Sequence, residues 1–397
     1  MSKFSLEKIN EVLSRGVEAV YPSRTALEKV LLSGKKLRIY NGIDPTGKLQ
    51  IGHGVILNKL RQFQDLGHEI IILIGDFTAM IGDPTDKAAT RKQLTRKEVL
   101  DNTKNYKELI GRVLDLKKTE FKYNSQWLDK LSFFEVVNLA SEFSVQRLLE
   151  RDMFEKRMKE GKIIHLHEFL YPIMQAYDCV AMDVDLEIGG NDQTFNMLAG
   201  RTLMKKIKDK EKFVLAMKLL QDPTGKKMGK TEGNAISLTD QPGDMYGKVM
   251  SWTDGMIVPA FEIATNIDWE ESKQVAKDLK NGKNPKILKM LLAYTVVKMY
   301  HGAEAAIKAE EQFKQVFEQG LNPDEIKKLK IKSKNIIDIL IETKLAGSRS
   351  EARRLLGQGG IKVDTKTIKD ENFKIEKIDK DGVVVQKGKR HFVKLVN

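Results

Sequence analysis

Tyr40-Asn-Gly-Ile-Asp-Pro-Thr-Gly-Lys-Leu-Gln-Ile-Gly-His53 carries an apolar stretch, Leu37 to Ile43, through a Pro/Gly turn into an amphipathic segment from Val55 to Leu66. That order predicts a strand, a tight turn and a helix whose first turn holds Gly52 and His53. The first N–H groups of a helix have no partner within it, and the helix dipole is positive there, so such a turn suits a phosphate. Far downstream, Lys226-Lys-Met-Gly-Lys-Thr231 places lysines in a Gly-containing loop able to close on a polyphosphate. Outward from the turn, helical periodicity alternates with apolar runs at Glu69–Gly75 and Asp183–Gly190. This alternation predicts an α/β domain with a doubly wound parallel sheet, whose ligands bind beyond the carboxyl ends of the strands. Tyr40, Asp83 and Gln193 fall at or just after the expected strand ends.

The two stretches resemble the paired signatures of class I aminoacyl-tRNA synthetases. Gln50-Ile-Gly-His53 is similar to the first, with Gln for the leading His, and Lys227-Met-Gly-Lys-Thr231 to the second, with Gly and Thr for its two serines. A third segment, Tyr171-Pro-Ile-Met-Gln175-Ala-Tyr-Asp178, resembles the substrate helix of bacterial tyrosyl-tRNA synthetases. In a helix these three polar positions are spaced i, i+4 and i+7 and share a face. The resemblance implies that Tyr171, Gln175 and Asp83 hold the α-amino group of tyrosine, while Asp178 and Tyr40 meet its phenol. Glu187-Ile-Gly-Gly-Asn-Asp-Gln193 resembles another family segment, in which Asp192 would bind the ribose of ATP and Gln193 the tyrosine side. By the same resemblance Gly42, Asp44, Gln50, Gly52 and His53 belong to the ATP site. Thr46, His53, Lys227, Lys230 and Thr231 would contact the polyphosphate as charge builds. ATP, accompanied by Mg²⁺, would be a substrate, with no tightly bound cofactor.

Gln50 keeps a neutral amide that can donate to phosphate, and Gly229 removes a side chain from the lysine loop. These departures leave a second reading open, a synthetase-like RNA-binding protein with altered catalysis. A complete Tyr/Gln/Asp pocket argues for the enzyme.

With 397 residues, the chain exceeds a single core. The resemblance gives a Rossmann-like catalytic domain over 1–222, with a helical dimerisation insertion at about 121–167. An α-helical anticodon-binding domain including the lysine loop would follow over 223–325, then a small α+β S4-like domain over 331–397. Asn322 to Lys330 reads as a charged linker.

Net charge is +13, and residues 331–397 hold 16 Lys and Arg against 9 Asp and Glu, which places an excess of +7 in the tail. That concentration favours an RNA partner. Within the tail, Ser348 and Glu351 form a plausible capping box for a helix projecting Arg349, Arg353 and Arg354 towards phosphates, and Val383–Val393 reads as a hairpin with a basic tip. The implied partners are tyrosine, ATP, tRNA(Tyr) and a second copy of the chain. The single cysteine, Cys179, reads as a small buried hydrophobe. His165 and His167, spaced as on a strand face, lack a third ligand, so no metal site is expected. With no signal peptide and no apolar run long enough for a bilayer, the expected location is cytoplasmic, away from membranes.

Overall fold

The computed structural model describes residues 5–83, 94–225, 235–318, 326–379, 382–388 and 391–396. The chain divides into two compact units, one of Met1–Asp240 with Trp252–Tyr300, the other of Gln241–Ser251 with His301–Asn397.

The first unit is built on a six-stranded sheet in the order β1-β6-β5-β2-β3-β4. Its strands are β1 (Val17–Tyr21), β2 (Arg38–Ile43), β3 (Glu69–Ile74), β4 (Thr119–Tyr123), β5 (Leu186–Gly190) and β6 (Phe213–Met217). Strands β2 to β6 run parallel, and β1 closes one edge antiparallel to β6. From β2 the chain winds outward through β3 and β4, then returns past β2 to β5 and β6. The winding reverses between β2 and β5, which makes the crevice at their carboxyl ends the natural ligand site. Strands β3 and β6 read Glu-Ile-Ile-Ile-Leu-Ile and Phe-Val-Leu-Ala-Met, with all but Glu69 buried. Such unbroken apolar runs belong to strands covered on both faces.

The helix Ile51–Asp65 follows the Pro/Gly turn as expected, and Gly52 and His53 lie in its first turn. Two readings are corrected. The segment expected to be helical from about 121 begins inside β4, which pairs with β3 along its whole length; Thr-Glu-Phe-Lys-Tyr alternates polar and apolar residues, so it lacks the continuous run of its neighbours. His165 and His167 sit on no strand. His165 caps the helix Leu166–Met182, and its backbone N–H donates to Glu168.

In the second unit a five-stranded sheet has the order β7-β11-β10-β8-β9. It comprises β7 (Lys327–Lys330), β8 (Ile361–Val363), β9 (Lys366–Ile368), β10 (Val383–Lys387) and β11 (His391–Val396). Strands β10 and β11 form the expected hairpin, whose tip residues Lys389 and Arg390 lie outside the described residues. Lys327–Lys330, read as linker, is instead a strand parallel to β11, with Leu329 and Ile331 packed on a core that includes Ile336, Leu340, Leu356, Val385 and Leu395. The lysines of β7 hid a strand whose one apolar residue, Leu329, packs on that core.

Among the described residues, no helix is long and apolar enough to cross a membrane, and no group of three or more His, Cys, Asp or Glu is placed to hold a metal ion.

Candidate active site

Strand β2 brings Tyr40 and Gly42 into the middle of the sheet, and Asp44 follows its last residue. Tyr40 therefore lies mid-strand, three residues before the end expected for it. Asp44 anchors the rim. Its Oδ1 accepts from Thr78 Oγ1 at 2.8 Å and its Oδ2 from the Tyr171 hydroxyl at 2.8 Å. Gly75 makes this possible, because a Cβ there would come within 2.0 Å of Asp44 Oδ1 and 2.4 Å of Thr78 Oγ1. Burial, then the Asp44 charge, raises the Tyr171 pKa well above that of a free phenol.

The helix Leu166–Met182 presents Tyr171, Gln175 and Asp178 on one side, as their spacing predicts. Each finds a different partner. Asp178 is only 2% exposed; its Oδ1 accepts from Trp127 Nε1 at 2.7 Å and its Oδ2 from Asn124 Nδ2 at 3.3 Å. Asn124 Nδ2 also donates to Thr78 Oγ1 at 3.0 Å. One connected wall thus runs from Trp127 through Asp178, Asn124, Thr78 and Asp44 to Tyr171. Burial drives the Asp178 pKa well above the carboxylate range, while the Trp127 and Asn124 donors oppose it.

Tyr40 does not bond to Asp178. Its hydroxyl lies 3.0 Å from Cys179 Sγ, in a fully buried position. Burial pushes the Cys179 thiol up to about 12, so it is a protonated, unreactive group, as the reading of a small buried residue implies. Gln175 Nε2 donates to Glu187 Oε1 at 3.1 Å. Asp83 comes after a short helix, Thr78–Ile81, and accepts from Arg151 Nη2 at 3.1 Å and Gln193 Nε2 at 2.8 Å.

At the other end of the crevice the His53 Nδ1 accepts the Gln50 backbone N–H at 3.0 Å. Burial lowers the His53 pKa, so the ring is neutral and, with Nδ1 occupied, carries its proton on Nε2. Gly52 has open space where a Cβ would be, and Thr46 lies half-buried in the turn. Asp192 follows β5 in a short 3-10 turn, and Gly190 leaves room for its carboxylate. Lys227, Lys230 and Thr231 lie outside the described residues. The chain that leaves their loop returns to this turn: Ile51 N–H donates to Ile236 O at 2.9 Å and Leu238 N–H to Leu49 O at 2.9 Å.

Asn124, Trp127, Thr78 and Arg151 were not foreseen from the sequence. Asn124 and Trp127 carried a signal, because they directly follow β4; recognising that strand would have placed them at the crevice.

In the second unit Arg349 pairs with Asp338, and Arg353 Nε lies 3.2 Å from Glu371 Oε2, while Arg354 is exposed near Glu351. Ser348 Oγ accepts from Glu351 N–H at 3.2 Å, but the Glu351 carboxylate accepts from Gly347 N–H at 2.8 Å and from Lys387. The expected capping box is therefore half formed, because Lys387 draws the carboxylate away.

Residues 32–318 match the family described as tRNA synthetases class I (W and Y), and residues 312–395 match the tyrosine–tRNA ligase SYY-like C-terminal domain. A tyrosine–tRNA ligase of Thermotoga maritima is 43% identical over 97% of this chain and 96% of its own length. One of Haemophilus influenzae is 42% identical over 98% and 97%. Among solved structures, a C-terminally truncated mitochondrial tyrosyl-tRNA synthetase of Coccidioides posadasii shares the fold at TM-score 0.64 and 24% identity, over 77% of this chain and 91% of its own. A tyrosyl-tRNA synthetase of Archaeoglobus fulgidus complexed with L-tyrosine does so at TM-score 0.62 and 22% identity, over 77% and 100%. The chain belongs to the tyrosine–tRNA ligase family of class I aminoacyl-tRNA synthetases.

Proposed function

We propose that this chain activates tyrosine with ATP, forming tyrosyl adenylate and pyrophosphate, and then transfers tyrosine to the 3′ end of tRNA(Tyr). The observation that carries the reading is the wall from Trp127 to Tyr171, which lines the crevice where the sheet reverses and leads to the N-terminus that holds His53. Neither step needs a nucleophile from the enzyme. The tyrosine carboxylate attacks the α-phosphorus, pyrophosphate leaves, and a ribose hydroxyl later attacks the activated carbonyl. The protein supplies alignment and charge stabilisation.

In this reading Asp178 and Tyr40 face the phenol end, with Trp127 and Asn124 fixing the Asp178 carboxylate. Tyr171, Gln175, Asp83 and Gln193 receive the α-amino end. Gly42, Asp44, Gln50, Gly52 and Asp192 shape the ATP site. His53 donates its Nε2–H to the polyphosphate together with Thr46, Lys227, Lys230 and Thr231, and Mg²⁺ enters with ATP as part of the substrate. The helices after the lysine loop would meet the anticodon, and Arg349, Arg353 and Arg354 the tRNA backbone.

A homodimer is part of the proposal. Phe133 and Phe134 are 84% and 71% exposed, and Val137, Val145, Ile163 and Leu166 lie exposed in the same insertion. Large apolar side chains gathered in water mark an interface, and a second copy of this chain fits it. Light scattering on a Phe133→Asp/Phe134→Asp variant should give the monomer mass; an unchanged dimer would move the interface elsewhere.

The deciding experiment is amino-acid-dependent ATP–pyrophosphate exchange across all twenty amino acids, with Mg²⁺ and without tRNA. Exchange with tyrosine alone is expected. No exchange with any amino acid would replace the enzyme by an RNA-binding protein with a disused site.

A further inference from the structure

Behind the proposed tyrosine pocket lies a buried ion pair. Lys212 is 0% and Glu187 3% exposed at the side chain, and the Lys212 ammonium donates to Glu187 Oε2. A second Lys212 N–H reaches Met197 O at 3.0 Å. Gly200 provides the room, since a Cβ there would lie 2.8 Å from Lys212 Nζ and 2.6 Å from Cys179 Sγ. Taking two charges out of water costs several kcal/mol apiece, and hydrophobic replacements often serve stability as well or better. A stability role alone therefore leaves this pair unexplained.

The remaining oxygen of the carboxylate points to a different role. Glu187 Oε1 accepts from Gln175 Nε2 at 3.1 Å. A carboxylate facing an ammonium is an acceptor only, so the amide of Gln175 must turn its NH₂ towards Glu187 and its Oε1 the other way. That oxygen is the only part of the amide able to accept an N–H from a substrate ammonium; a flipped amide would offer NH₂ to a cation. We infer that Lys212 is a positioning residue for amino-acid recognition, fixing Gln175 through Glu187 so that its carbonyl oxygen faces the α-amino group of tyrosine. The inference rests on the assignment of Gln175 to that group. It adds a buried lysine, one residue before β6, which touches no substrate.

The test compares tyrosine with 3-(4-hydroxyphenyl)propanoate, the same molecule without the amine. In Lys212→Met the buried Glu187 loses its counter-charge and takes up a proton, so its carboxyl can donate as well as accept and Gln175 is no longer held one way. The tyrosine KM in ATP–pyrophosphate exchange should rise about tenfold, the size of one lost charged hydrogen bond. The inhibition constant of the amine-free analogue and the KM of ATP should hold. The carboxyl that Lys212→Met leaves buried without its partner also threatens folding, so Lys212→Met/Glu187→Gln, which keeps no ionisable group there, is measured beside it. The amide that replaces the Glu187 carboxylate can donate or accept, so Gln175 is no longer held one way and the same amine-specific loss is expected. Equal weakening of both ligands in the double variant, or a wild-type ratio between them, would overturn the inference. Gln175→Ala separates the two levels. If it loses amine selectivity while the Lys212 variants keep it, the relay is wrong and the pocket assignment stands; if Gln175→Ala shows no amine-specific loss, the pocket assignment itself fails.

Discussion

In the proposed function Asp178 and Arg349 each meet a ligand through an ionisable side chain, in opposite surroundings. Asp178 is 2% exposed and gripped by an indole and a carboxamide, whereas the Arg349 side chain is 65% exposed and leans on Asp338 across the surface. The contrast extends to their regions. At the proposed tyrosine end Asp44, Asp178, Tyr171 and Gln175 are each tied to a partner across buried contacts, so recognition there would depend on fixed direction and a wrong neighbour would be costly. In the C-terminal module the charges are solvated, screened by salt and individually cheap, so in the proposed function recognition there would depend on their number.

The widest separation between the regions should come from Asp178→Asn. Replacing one carboxyl oxygen by an NH₂ at the end of the proposed pocket should lower kcat/KM for tyrosine about a hundredfold or more, with the circular dichroism spectrum unchanged. An effect no larger than that of one arginine would erase the contrast. Next in size, Gly75→Ala forces a carbon into the Asp44–Thr78 hydrogen bond and should cost about 2 kcal/mol of stability, read from urea unfolding, with a matching fall in pyrophosphate exchange. On the other side, Arg349→Ala/Arg353→Ala/Arg354→Ala should weaken tRNA binding about tenfold and reduce the slope of log affinity against log salt by up to about 3, while tRNA-free exchange is unaffected. Lost exchange would show that the module supports the catalytic unit.

The smallest effect concerns acid. His68 Nδ1 accepts the Leu37 N–H at 3.2 Å, and burial lowers its pKa from 6.5 to about 4. Because the fold prefers the neutral ring, this contribution is complete above pH 6.5 and is lost as pH falls towards about 4. Hydrogen exchange should therefore show β2 and β3 loosening at pH 4.5 relative to pH 7 while β10 and β11 are unchanged, and His68→Asn should flatten the difference.

The same division decides what the sequence could reveal. The Pro/Gly turn, the helix start at Gln50 and the shared face of Tyr171, Gln175 and Asp178 follow from residues a few positions apart, where periodicity and turn chemistry act. The partners of those residues come from far along the chain. Asn124 lies 54 positions from Asp178, and Tyr171 lies 127 from Asp44. No local pattern records such meetings, so the sequence does not show that Tyr40 leans on Cys179 while Asp178 is held by Trp127 and Asn124. Charged residues also stand in both units where local pattern does not place them. The lysines of β7 read as linker and form a strand, and Lys212, which no local motif singles out, is fully buried. A charge states a preference for water that a well-placed counter-charge or a sheet edge can override.

Three glycines, Gly75, Gly190 and Gly200, stand where an added carbon would fall 2.0 to 2.6 Å from Asp44, Asp192 and Cys179 respectively. Every glycine codon is one base change from an alanine codon, so the smallest step the genetic code permits carries this pocket from a working shape to an obstructed one. The pocket is consequently fragile towards random mutation at positions that contribute no functional group at all, and a survey of inactive variants would encounter them as readily as the aspartates they make room for.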